Sequence, residues 1–517
     1  MLGPRRYAVS SEITSPGRPP PLPVIVSQHP TGQNLREIGP VLLFRGRQGE
    51  RWRLSALFIL RGETEPQDLE VEGIRLPVPP RFIGRLPGRT AWRFDFAVAR
   101  TGEDQRISYG LQGEDERWRF TVPALDQPPR LAYASCNGCE DETVFSSSGM
   151  RRNSLWADLL RQHRRQPFHI LLMGGDQVYA DGVWQAHPAL AEWWGLPTRR
   201  KADVPFDESM AGATVRFYTD LYTGLWRQAE VAAVLASTPS IMMWDDHDIF
   251  DGYGSHPDAI RNTPVYQGVF AVARRHFALF QLGSNLDDLP DNVWGRGLGN
   301  FTQGFVCDGL GILSLDLRSE REPKSVLGAR TWADLPVWLD RFAGCRHLLV
   351  MSSVPVAFPS LRWMERLINL LPGQARYEDD LRDQWVSPAH RDQHRRLLGH
   401  LGDHAVGRDC RVAVLSGEVH LAHAGVMRTR GHTLWQLTSS GIVHPPPPPA
   451  WTSMLERLAG WTTELPGRVS VEFPPLPGHD TRFLAMRNFL SLEVGADGAL
   501  GVRWNTDGRP GAQLVTG

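Results

Sequence analysis

Cysteine is scarce in this chain, with five residues in 517, an odd number spread along the length. A disulfide framework is thereby excluded. Long hydrophobic runs are missing too. No stretch approaches the roughly 18 apolar residues of a spanning helix, so no membrane segment is expected. An excess of charge of either sign is also absent, since 56 Lys and Arg face 57 Asp and Glu and leave a formal net charge of −1. No electrostatic surface for nucleic acid or lipid is therefore expected. Arg5 and Arg6 are not followed by an apolar segment, which speaks against Sec or twin-arginine export and for cytoplasmic residence. No internal repeat is visible.

The length allows two or three domains with ample core, and the 18 tryptophans supply bulky core anchors. Residues 1–40 are rich in proline and polar residues and read as a loose arm or irregular strands. From about 41 to 123 apolar and polar residues alternate, as in Trp92-Arg-Phe94-Asp-Phe96 and Trp118-Arg-Phe120-Thr-Val122. Turns rich in Pro and Gly separate these runs. The pattern predicts an antiparallel, immunoglobulin-like β-sandwich over 1–125. Asp126-Gln-Pro-Pro129 reads as a linker.

Beyond it, over 130–517, buried strands alternate with helical stretches, the pattern of an α/β fold. Helices are expected at Leu155–Arg165, Val215–Leu235, Trp332–Phe342, Ser360–Leu371, Ser387–His400 and Met454–Ala459. Central strands are expected at Gly311–Leu317 and Leu348–Val350, and a closing hairpin from Phe489–Val494 and Leu500–Trp504. Pro445–Pro449 reads as a stiff polyproline connection, and 183–205, with Trp184, Trp193 and Trp194, as an insertion or a lid.

One arrangement recurs. An apolar strand ends in metal-ligand residue types at Leu131–Ala134 before Ser135-Cys136, and at Ile170–Met173 before Gly-Gly-Asp176-Gln-Val-Tyr179. It returns at Ile241–Trp244 before Asp245-Asp-His-Asp248, and at Val412–Leu415 before Ser-Gly-Glu418-Val-His420. Open α/β sheets place their sites at such strand ends. Each oxygen of Asp176 can bind one cation, so this carboxylate is the expected bridge of a two-metal centre, with Tyr179 in reach as phenolate. Three carboxylates and an imidazole within Asp245–Asp248, with Asp251 beyond, raise one another's pKa unless a cation neutralises them. Cys136-Asn-Gly-Cys139 lacks the second pair that a four-cysteine zinc site needs, which leaves Cys136 as a single thiolate ligand.

Together, Ala134-Ser-Cys136, Gly175-Asp-Gln-Val-Tyr179, Trp244-Asp-Asp-His-Asp248, Leu315-Asp-Leu-Arg318 and Ser416-Gly-Glu-Val-His420 resemble the PhoD-like alkaline phosphatases, a branch of the calcineurin-like metallophosphatases. Asp379-Asp-Leu-Arg-Asp-Gln-Trp385 adds to the resemblance. It implies a two-sheet metallophosphatase sandwich flanked by helices, preceded by the β-sandwich. It also implies one metal on Cys136, Asp176, Tyr179 and His420, where thiolate and phenolate suit Fe(III). A second metal, shared through Asp176 with Asp246, Glu418 and Asp251, would be Ca²⁺, Mg²⁺ or Mn²⁺. The family usually has Asp at Glu418, and commonly Glu at Asp248 and Asn near Asp251.

The implied activity is hydrolysis of phosphoric monoesters or diesters by a metal-bound hydroxide. His247 is the expected general acid and Arg318 a clamp on the phosphate or a buried ion pair. The alternative is an idle metal-binding or phosphoester-binding module that keeps the fold.

Overall fold

The computed structural model describes residues 35–359, 384–417, 419–429, 431–508 and 511–516. The proline-rich arm through Asn34, the expected helix at Ser360–Leu371, most of Asp379–Trp385 and Glu418 lie outside the described residues.

Two mixed sheets face each other. The first runs from edge to edge through Gln513–Thr516, Leu500–Thr506, Asn488–Val494, Leu131–Ala134, Ile170–Gly174, Ser240–Met243, Arg36–Gln48, Arg51–Arg61, Arg89–Ala99 and Arg81–Leu86. Its three central strands are parallel, with Leu172 opposite Tyr133 and Ile241. The second sheet has parallel strands Leu310–Ser314, His347–Met351, Arg411–Ser416 and His432–Thr438 at its centre.

Both faces of each sheet are covered, which explains the unbroken apolar runs. Leu131, Tyr133, Ile170, Leu172, Ile241 and Met243 point inward against Ile312, Leu349, Met351, Ala413 and Leu415 of the second sheet. The alternate residues Ala132, Ala134, Leu171 and Met173 face helices such as Ser154–Arg165 and Pro264–Phe280. Helices Ala329–Asp340, Arg391–Arg408 and Pro449–Trp461 cover the outer face of the second sheet. The result is an α/β/β/α sandwich.

The N-terminal region is antiparallel, as expected, but residue 126 marks no break. Arg36–Gln48, Arg51–Arg61, Arg89–Ala99 and Arg81–Leu86 extend the first sheet, joined to it where Leu43 meets Ser240 in parallel. A four-stranded sheet of Ile74–Arg75, Leu69–Val71, Gln105–Leu111 and Trp118–Val122 packs Tyr109, Phe120 and Val122 into the same inter-sheet core. Leu35–Gly517 is one compact unit. Alternation predicted the strands correctly; it carries no information about which sheet a strand joins.

Other expectations shift locally. Val215–Leu235 is two helices, Glu208–Trp226 and Ala229–Ser237, separated at Gln228, whose side chain accepts from Arg152 and Asn153 at 3.0 and 2.7 Å. No Gly or Pro marks that break. The last of the five prolines, Pro449, opens a helix instead of continuing the polyproline run, a position where its missing N–H costs nothing. The C-terminal hairpin gains a third strand, Gln513–Thr516. Among the described residues no helix is long and apolar enough to cross a membrane.

Candidate metal centre

The carboxyl ends of Leu131–Ala134, Ile170–Gly174, Ser240–Met243 and Arg411–Ser416 converge where the two sheets meet, and the loops that follow are stitched together by backbone. Cys136 N donates to Gly175 O at 3.1 Å, Asn137 N to Asp176 O at 2.8 Å, and Ala180 N to His247 O at 2.8 Å. Cys136 and Asp176 both adopt φ of 54° and His420 adopts 52°. A left-handed non-glycine residue costs about 1–3 kcal/mol, so the fold holds three predicted ligands in strained backbone. Gly175 permits the approach of the loops, because at φ 104° a Cβ there would sit 2.9 Å from Asp245 Cβ.

Asp176 is buried and its Oδ2 lies 3.6 Å from Cys136 Sγ, while Oδ1 has no hydrogen-bond partner. Burial, with Asp245 and Asp246 beside it, pushes the Asp176 carboxyl well above the usual range. Carboxylate oxygens of Asp176, Asp245 and Asp246 lie within 4.8 Å of one another, as do ligand atoms of Asp246, His247 and Asp251. Two further buried atoms are unpaired: Tyr179 OH and His420 Nδ1. Burial, and next the charge of Cys136, raises the Tyr179 phenol well above its ordinary value. Burial and His444 lower His420 well below its own, which keeps that imidazole neutral and able to ligate. This donor set of neutral imidazole, thiol, phenol and converging carboxylates fits metal ions.

The predicted residues are not all gathered alike. Asp246 is common to two groups, one with Asp176 and Asp245 and the other with His247 and Asp251. Among the described residues, Cys136 and His420 do not join a group of three His, Cys, Asp or Glu ligand atoms at that spacing. They are linked through His444, whose ring stacks on His420 at 3.4 Å between centroids and whose backbone N–H donates to Cys136 O at 3.1 Å. Cys139 plays no part, for its Sγ donates to Asp141 O, and burial pushes its thiol up to about 12.

Arg318 is fully buried. Its guanidinium donates to Asp245, to Asp246 Oδ1 at 3.2 Å and to Tyr253 O at 3.3 Å. Of the two roles expected for it, phosphate clamp or buried ion pair, the structure shows the ion pair, in which the side chain holds the two aspartates in place and does not face solvent. Asp248 is likewise structural. It accepts from Gln177 N, Val178 N, Asp245 N and Gln281 Nε2 at 2.7–3.3 Å and so ties the Asp176 loop to its own.

Three residues escaped the sequence reading, and a fourth, Asp245, entered it only within the acidic run Asp245–Asp248 and not as a ligand. Asp245 is the inner member of the carboxylate group. Asp181 accepts from His247 Nδ1 at 2.9 Å. Glu140 lies 4.0 Å from His247 Nε2 and 3.3 Å from His444 Nε2. A signal existed for His444, which follows the apolar strand His432–Thr438 as the other site residues follow theirs. Burial would lower the pKa of His247, but Asp181 and Asp246 outweigh it and hold the ring protonated well above 6.5. Tyr179 stacks on His247 at 4.4 Å. The 183–205 insertion is folded, with Lys201 Nζ donating to Trp193 O and Trp194 O at 2.6 Å, and it begins directly beyond Asp181.

Residues 134–376 match the sequence model described as PhoD related phosphatase. The uncharacterized protein YGR266W of Saccharomyces cerevisiae is 27% identical over 454 residues, 71% of this chain and 64% of that protein. The chain thus spans less than two thirds of that relative. The solved structure of PhoD superposes with a TM-score of 0.58 at 13% identity, over 94% of this chain and 90% of that one. Such an identity speaks to fold alone. The segment 134–376, a little under half of the chain, is thus similar to the PhoD-related phosphatases, and the architecture as a whole is similar to that of PhoD.

Proposed function

We propose that the protein hydrolyses phosphoric esters at a dinuclear metal centre. The observation that carries this reading is the buried trio Asp176, Asp245 and Asp246, whose oxygens converge within 4.8 Å. Converging buried carboxylates repel unless cations offset them. Cys136, Asp176, Tyr179 and His420 would hold one ion, and their thiolate and phenolate favour Fe(III). Asp176, Asp246, Asp251 and Glu418 would hold a divalent Ca²⁺, Mg²⁺ or Mn²⁺. When bound, such ions polarise phosphoryl oxygens and lower the pKa of water to about 7.

The remaining roles belong to side chains. His247 gives its Nε2 proton to the leaving alkoxide. Asp181 fixes the ring through Nδ1 and favours the protonated form. Tyr179, stacked against it, holds the ring plane. Arg318 and Asp248 keep the acidic loops in register.

The test is metal analysis of purified protein together with hydrolysis of p-nitrophenyl phosphate and bis-p-nitrophenyl phosphate. Two metals per chain with turnover of either ester is the expected result, and a violet colour from tyrosinate-to-iron charge transfer would mark the ferric site. Protein that takes up no metal under any condition sinks the assignment.

A further inference from the structure

We propose that the protein carries a second ligand site, an arginine-lined cavity of about 450 Å³ on the N-terminal flank of the first sheet, which binds a small phosphate-bearing polyanion. The cavity is built from Arg36–Gln48, Arg51–Arg61, Arg81–Leu86 and Arg89–Ala99 and the segment 288–292. None of these carries a candidate metal ligand, so the inference does not rest on the hydrolytic reading.

Strand register makes the cavity. Ser55 stands opposite Asp95 and Arg53 opposite Ala97, so alternate residues Arg53, Ser55, Arg93 and Asp95 share one face. Arg45, Arg51 and Arg81 complete the basic lining.

The charges there do not balance. Asp95 accepts from Arg93 Nε at 3.0 Å and from Ser55, and Asp288 pairs with Arg81 at 2.6 Å. Asp291 pairs with Arg296, outside the lining, at 2.9 Å. Arg45 donates to Ser55 Oγ and Leu282 O, and Arg51 to Ala97 O, all neutral acceptors. Five guanidinium groups therefore share two inward-committed carboxylates. Burial first, and then the charge of Arg93, press the Arg45 pKa down to about 9.

Planar guanidinium forks match tetrahedral oxyanions, and an excess of about three charges suits a polyanion better than a single carboxylate. The volume lies at the small-molecule end of the usual ligand-pocket range of about 300–1,000 Å³, too small for a polynucleotide.

Isothermal titration calorimetry of the full chain with inorganic pyrophosphate tests this. Wild type, Asp176→Asn, Arg53→Gln and Arg81→Gln are compared at low ionic strength, with circular dichroism melts to establish that each is folded. Saturable binding should persist in Asp176→Asn, which separates this site from the metal centre. It should weaken at least tenfold in Arg53→Gln or in Arg81→Gln. No binding by wild type, loss in Asp176→Asn, or unchanged affinity in both arginine variants would overturn the proposal.

Discussion

The acidic centre at the strand ends and the basic cavity on the N-terminal flank are two solutions to concentrating charge on one sheet. In the centre, carboxylates crowd together, buried atoms such as Asp176 Oδ1 lack partners, and the backbone is left-handed at three of the residues concerned. On the flank Arg51–Arg61 and Arg89–Ala99 pair without a register shift, and the arginines are bonded to serine and backbone oxygens as well as to aspartates. The difference teaches what each region demands. The centre gathers buried carboxylates whose repulsion cations would offset, whereas on the flank the arginines already have acceptors and the proposed ligand would answer only the surplus charge.

Substitutions can break this contrast, and the largest effect belongs to the shared carboxylate. Asp176→Asn should release both metals, seen by elemental analysis, and bring ester hydrolysis to background; retention of one full metal equivalent would contradict the bridge. His247→Ala should slow alkyl phosphate hydrolysis by about 10²–10⁴ and p-nitrophenyl phosphate hydrolysis much less, because the better leaving group needs little protonation. Arg318→Met leaves Asp245 and Asp246 buried without their counter-charge and should destabilise the protein by about 3–5 kcal/mol in denaturant melts.

A smaller effect tests the interior away from both charged regions. Burial pushes His163, His276 and His394 down from 6.5 to about 4. These groups fold neutral. Below pH 6.5 the unfolded chain binds protons that the folded chain refuses, so stability present above 6.5 should be lost progressively down to about pH 4. A melting temperature that stays flat across that window would show these histidines to be more solvated than the structure has them. The smallest effect belongs to the flank. Arg81 is half-exposed and its pair with Asp288 is superficial, so Arg81→Gln should cost at most about 1 kcal/mol. A loss comparable to that of Arg318→Met would erase the distinction between the two regions.

The sequence made the strand ends legible because period, length and terminal residue types all pointed the same way at Asp176, Asp246 and Asp251. It did not reveal that Arg318 turns inward, since a fully buried ion pair and a phosphate clamp use the same side chain. Asp181, Glu140 and His444 were hidden for another reason. Their contacts with His247 and with one another cross between loops far apart in sequence, and nothing in local spacing encodes such proximity. Sheet membership failed on the same ground. The parallel contact of Leu43 with Ser240 decides that the N-terminal strands extend the first sheet, and periodicity is blind to it.

That sheet order also sets a timetable for synthesis. Leu131–Ala134 pairs with Ile170–Gly174 on one side, but its other neighbour is Asn488–Val494. A ribosome moving at about 5–20 residues per second leaves this strand with an open hydrogen-bonding edge for on the order of tens of seconds. Over that interval the nascent chain presents an apolar strand edge of the kind that recruits chaperones or a second copy.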